Sequence, residues 1–64
     1  MSDFEMIRSE REGDILTITL DRPERLNACP PQMADEIFAA ITDLGGARAV
    51  LLKGEGRAFC SGAD

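Results

Sequence analysis

The side chains of this sequence offer little reactive chemistry. Cysteine occurs at Cys29 and Cys60, and histidine is absent. A thiol that acts as a nucleophile needs a neighbouring base to take its proton, and no imidazole is available to do so. Packing is the better reading of both cysteines, with Cys60 following Phe59 into an apolar interior. The lack of a close-spaced cysteine pair also points away from a zinc site or a disulfide framework. Gly54-Glu55-Gly56 has the outline of a phosphate loop but lacks the Gly-Lys-Ser/Thr ending and the further glycine that nucleotide fingerprints need. The backbone is the better candidate. Ser61, Gly62 and Ala63 carry so little bulk that their N–H groups could come within hydrogen-bond distance of a bound carbonyl oxygen. Donors fixed in advance around an oxygen that gains negative charge are what an oxyanion hole requires. The same residues also make an ordinary tight turn, and spacing by itself favours that plainer role.

Elements that would position this turn are legible upstream. Phe4 to Glu10 and Asp14 to Leu20 alternate with period two around Arg11-Glu12-Gly13, which predicts a β-hairpin. In the second run Leu16, Ile18 and Leu20 share one face and Ile15, Thr17 and Thr19 the other, so cover on both sides is expected. Asp21-Arg22-Pro23-Glu24 ends that strand, because proline cannot donate to a ladder. A loop runs to about Pro30. From Pro31 the apolar residues Met33, Ile37, Ile41 and Leu44 recur at helical spacing, predicting an amphipathic helix of about fourteen residues whose stripe is core. Gly45-Gly46 stops it, and Ala49-Val50-Leu51-Leu52 reads as a strand buried on both faces. Strand, helix and strand with short joints place the second strand parallel to the first, giving the order β-β-α-β.

Composition narrows the class. A net charge of −5 with scattered acids argues against nucleic acid or an anionic membrane as a partner. Met1-Ser2-Asp3-Phe4-Glu5 puts acids where a signal peptide needs a basic region, and no apolar run approaches the ~18 residues of a membrane span. A bacterial-type cytoplasm or an equivalent reducing compartment is expected. For a chain of 64 residues, the gain from burying apolar surface and the cost of ordering the chain nearly cancel. The expectation is therefore that further polypeptide completes the core.

Two segments carry a family resemblance. Arg22-Pro23-Glu24-Arg25-Leu26-Asn27-Ala28 directly after one strand, and Gly54-Glu55-Gly56-Arg57-Ala58-Phe59-Cys60-Ser61-Gly62-Ala63-Asp64 directly after the next, resemble the two N-terminal signatures of the crotonase (enoyl-CoA hydratase/isomerase) superfamily. The resemblance implies an α/β fold, the ClpP/crotonase-like spiral of ββα units, with this chain supplying the first β-β-α-β. Residues 1–64 would be the N-terminal part of a single acyl-CoA-binding domain. It implies an acyl-CoA enzyme of fatty acid metabolism, a hydratase or isomerase by family frequency, that stabilises a thioester enolate. The coenzyme A thioester is substrate, and no prosthetic group is implied.

By motif position, Ala63 matches the family residue whose backbone N–H is one of two oxyanion donors. Arg25 and Ala28 match positions lining the nucleotide end of coenzyme A, where an arginine can face phosphate and a small residue leaves room for adenine. A solvated surface charge is the competing role for Arg25. Ser61, Gly62, Ala63 and Asp64 would line the substrate, with Asp64 capping the element that follows it. Asn27 reads as a loop brace. The family also implies the remainder of the polypeptide as a partner and a homotrimer or hexamer. Its second oxyanion donor and paired carboxylates have no counterpart among these residues. Hydratase, isomerase, dehalogenase, hydrolase and decarboxylase chemistries thus stay open, as does a small stand-alone β-β-α-β binding or regulatory module without catalysis. Pro30 stands where the family usually has a helix-capping Ser, and the helix reaches its glycines sooner than usual.

Overall fold

The computed structural model describes residues 4–62. Its elements are β1 (Ile7–Glu12), β2 (Ile15–Leu20), a single 3-10 turn (Pro23–Arg25), α1 (Pro31–Thr42) and β3 (Ala49–Gly54). The strands form one sheet in the order β1-β2-β3, β1 antiparallel and β3 parallel to β2. The β-β-α-β order is therefore the one expected.

The first strand begins and ends later than its alternation implied, at Ile7 and Glu12, and the second begins one residue later but ends at Leu20 as expected. The hairpin turn is Gly13-Asp14, with Gly13 at φ 61°, a conformation that costs glycine nothing. Arg11 stays in the strand because Ile15 opposes Glu12 and Leu16 opposes Arg11. From there its guanidinium donates to Gly13 O at 2.7 Å and to the carbonyls of Leu44 and Gly45. One side chain thus closes the hairpin and takes up carbonyl oxygens just past the helix end.

Helix α1 has 12 residues, shorter than the roughly fourteen expected, and Pro30 gives it no side-chain cap, as the sequence implied. It stops before the glycines: Asp43 has left helical conformation at φ −109°, ψ 71°, and Gly45 and Gly46 make the turn at φ 58° and 95°. The buried stripe runs Met33, Ile37, Ala40, Leu44, with Ile41 on the flank. A 4-3-4 spacing follows the 3.6-residue period more closely than 4-4-3, so Ala40 takes the inward position.

Ile7, Leu16, Ile18, Leu20, Met33 and Ala40 make the core, between α1 and the β1–β2 part of the sheet. Thr19 is buried on the opposite face of β2 and Ile15 is exposed, so cover on that side is partial. β3 is not buried on both faces as expected: Val50, Leu51 and Leu52 are 42%, 52% and 41% exposed. The cause is topological. β3 is an edge strand, and among the described residues nothing lies beyond it.

A second tie joins the N-terminal segment to the helix. The Glu36 carboxylate accepts from the N–H groups of Glu5 (3.2 Å) and Met6 (2.9 Å) and from Gln32 Nε2 (2.9 Å). Partial burial pushes the Glu36 pKa up, but the bonds from Gln32 and the backbone outweigh it and leave the pKa below the usual carboxylate value.

Candidate functional site: the junction of two loops

Both signature segments begin where a parallel strand ends, β2 for the first and β3 for the second. The crevice outside the carboxyl ends of parallel strands is the usual ligand position in α/β sheets. Each loop is shaped by its own short-range bonds and then tied to the other.

The first loop winds on itself. Arg25 N–H and Asn27 N–H both donate to Arg22 O (3.0 and 2.8 Å), Leu26 N–H to Pro23 O (3.1 Å) and Ala28 N–H to Arg25 O (3.0 Å). The winding holds Leu26 and Asn27 at φ 52° and 57°. Asn tolerates this left-handed conformation; Leu does so at a cost that the surrounding bonds offset. Arg22 Nη1 donates to Ala28 O at 3.0 Å, fastening the far side.

The second loop doubles back against its own strand. A Cβ on Gly54 would lie 2.6 Å from Phe59 O and 2.8 Å from Ala58 O, so only glycine fits. Gly56, at φ 88°, sits against Pro23 of the first loop, where a Cβ would come within 2.9 Å of Pro23 Cβ.

Asn27 joins the two. It is completely buried, and its side-chain oxygen accepts from Arg22 N–H at 2.7 Å while Nδ2 donates to Glu55 O (2.9 Å) and Ala58 O (2.8 Å). Glu55 N–H donates to Leu20 O at 2.8 Å, and Arg8 pairs with both Asp21 and Glu55 on the rim. Cys29 N–H then donates to Gly62 O at 2.9 Å, bringing the end of the first loop against the terminal turn.

The residues singled out from sequence fall as follows. Arg25 is exposed at the end of the 3-10 turn, and Ala28 is half-buried immediately before Cys29, whose N–H makes the contact with Gly62. Ser61 and Gly62 are exposed; Gly62 has φ 114° and open space where a Cβ would stand. Ala63 and Asp64 lie outside the described residues. Phe59, 53% exposed, and Cys60, also exposed, are not interior as expected, because the doubling-back at Gly54 is held by backbone atoms rather than by side-chain burial. The Cys60 thiol instead accepts from Gly62 N–H at 3.4 Å. Asn27 is the brace expected, but its partners on the second loop had no sequence signal. Gly54 and the Cys29 N–H were also missed; the close packing of a glycine is visible only once the chain has folded back.

Comparison with known proteins accounts for this arrangement. Residues 10–64 match the family model described as enoyl-CoA hydratase/isomerase. A probable enoyl-CoA hydratase from Mycobacterium bovis is 52% identical over 61 residues, covering 92% of this chain and 25% of that protein. The 1,2-epoxyphenylacetyl-CoA isomerase of Escherichia coli is 38% identical over 64 residues, covering 95% and 24%. The crystal structure of an enoyl-CoA hydratase from Geobacillus kaustophilus superposes with a TM-score of 0.93 at 42% identity, over 98% of this chain and 26% of that one. The chain thus spans about a quarter of the length of the curated relatives it matches. With both signature loops in place on a β-β-α-β sheet of matching geometry, the chain belongs to the enoyl-CoA hydratase/isomerase family of the crotonase superfamily.

Proposed function

We propose that the protein containing this chain acts on acyl-CoA thioesters, as a hydratase or isomerase, with the Ala63 backbone N–H as one of two donors to the thioester oxygen. Removing the proton beside a thioester, or adding to its conjugated double bond, moves negative charge onto the carbonyl oxygen. A donor already aimed at that oxygen lowers the barrier, and one such donor is typically worth about 10²–10³ in rate. Arg25 and Ala28 hold the nucleotide end of coenzyme A, and Ser61, Gly62 and Asp64 line the acyl end.

One observation supports the reading above the others. Cys29 N–H bonds to Gly62 O, so the loop bearing Arg25 and Ala28 lies directly against the turn that leads to Ala63. One ligand can then touch both. The reading takes residues 1–64 as the N-terminal part of a single acyl-CoA-binding domain, completed by further polypeptide that supplies the second donor and the acid–base groups. The coenzyme A thioester is the substrate, without a prosthetic group. A cytoplasmic trimer or hexamer serving fatty acid metabolism belongs to the same proposal.

The test is Ala63→Pro in the complete protein, which deletes an N–H while adding little bulk. Turnover of an enoyl-CoA should fall about 10²-fold or more, and unchanged turnover would sink the assignment. Arg25→Ala should raise KM more than it lowers kcat, because contacts far from the reacting carbon bind ground and transition states alike. A pure kcat loss would remove Arg25 from the coenzyme site.

A further inference from the structure

Gly62 O, the acceptor of the Cys29 N–H, belongs to the same peptide unit as the N–H of Ala63. A trans peptide is planar, with its C=O and N–H pointing in opposite directions. Whatever holds Gly62 O therefore sets the direction in which that N–H is offered. A bond accepted by the C=O also polarises the peptide and strengthens the N–H as a donor.

Cys29 can hold Gly62 O only while the first loop keeps its place relative to the second. Pro23 against Gly56 and the Arg8 pairs lie on the periphery of this junction. At its centre is one fully buried amide, that of Asn27, which takes the Arg22 N–H on one side and gives both its hydrogens to Glu55 O and Ala58 O on the other. No described buried side-chain nitrogen or oxygen is left without a partner, so the junction has little freedom to settle in another arrangement.

We propose that Asn27 is a positioning residue for the oxyanion donor. By locking the two loops together it places the Cys29 N–H on Gly62 O, and through that carbonyl it aims and strengthens the N–H that meets the thioester oxygen. The inference rests on the acyl-CoA reading above and deepens it. Asn27 lies between Arg25 and Ala28, so the loop that grips the coenzyme is also the one that orients the donor. Binding of the nucleotide end thereby braces the reacting end, and a donor fixed before reaction is the one most effective at stabilising developing charge.

The experiment uses the complete protein. Asn27→Asp keeps the shape and the oxygen facing Arg22 N–H but sets a carboxylate oxygen against two carbonyls. The expected result is a kcat lower by about 10²-fold, the scale of a small misplacement in an active site. Affinity for free coenzyme A should hold within about threefold. The C=O stretch of a bound, unreactive acyl-CoA thioester should move back toward its value in water. Asn27→Gly, which tolerates φ 57° and removes the amide altogether, should show the same pattern. A folded variant that melts earlier yet keeps wild-type kcat and carbonyl frequency would overturn the proposal, leaving Asn27 a structural brace only. Should neither variant fold, amide exchange in the wild type decides: protection at Cys29 should rise at least about tenfold when the unreactive thioester binds, and no change overturns the proposal. Failure of the underlying function looks different, since the wild type itself would then neither bind coenzyme A nor shift the carbonyl band.

Discussion

Asn27 and Glu36 perform the same task in two settings. Each side chain gathers backbone from about thirty residues away: Asn27 holds Glu55 O and Ala58 O, 28 and 31 positions along the chain, and Glu36 holds the N–H groups of Met6 and Glu5, 30 and 31 positions back. The settings decide the chemistry. Asn27 is sealed from water and is neutral, so its bonds carry no cost of burying a charge. Glu36 is only partly covered, where a charged acceptor stays solvated while strengthening each bond it accepts. The inner tie should be strong and indifferent to pH, the outer one weaker and sensitive to it.

Substitutions at each tie can break that contrast. Gly54→Ala should be the most damaging, because the new Cβ meets the carbonyls of Phe59 and Ala58, and Ala58 O is one that Asn27 also uses. A loss of about 3 kcal/mol in the complete protein is expected from chemical denaturation, the upper end for overpacking against a backbone that cannot yield. A loss below about 0.5 kcal/mol would mean that the junction is softer than its distances imply. Glu36→Gln keeps an acceptor oxygen and should cost less than about 1 kcal/mol at neutral pH.

The smallest effect is the most diagnostic. The pKa of Glu36 is lower folded than unfolded, so its stabilisation is complete above its ordinary value near 4.5 and disappears as pH falls through the lower folded value. Glu36→Gln should therefore flatten that part of the acid limb of a stability-versus-pH curve. Gly54→Ala should lower the whole curve without changing its slope. If the two variants exchanged these signatures, the division between a neutral inner tie and a charged outer tie would be wrong.

The same contrast shows what a sequence can carry. Alternation and helical period are local, and they identified both strands of the hairpin, the helix and the parallel return. Local signals also marked Asn27 as a brace, because Asn in a polar loop bonds nearby backbone. They could not name Glu55 and Ala58 as its partners, nor single out Gly54, since those contacts exist only after the chain has crossed from β2 through α1 to β3. The choice between Ala40 and Ile41 for the inward position turned on a fraction of a helical turn. The apolar run of β3 identified a strand correctly while its exposure went unread, because composition reports what a segment needs and not whether the described residues supply it. Both signature loops were legible for a different reason. They resemble the family's two signatures, a pattern of residue types in fixed order that can be read without knowing which atoms the loops bring together.

The free edge of β3 has a practical consequence. Val50, Leu51 and Leu52 present apolar side chains to both sides beside a row of unpaired backbone groups, the combination that recruits strands from other molecules. Lys53 is the sole charge within Ala49–Gly54, a single gatekeeper on an otherwise adhesive segment. Handled in isolation at high concentration, residues 1–64 would be limited by colloidal behaviour as well as by their marginal folding stability, with edge-to-edge strand pairing as the route to precipitation.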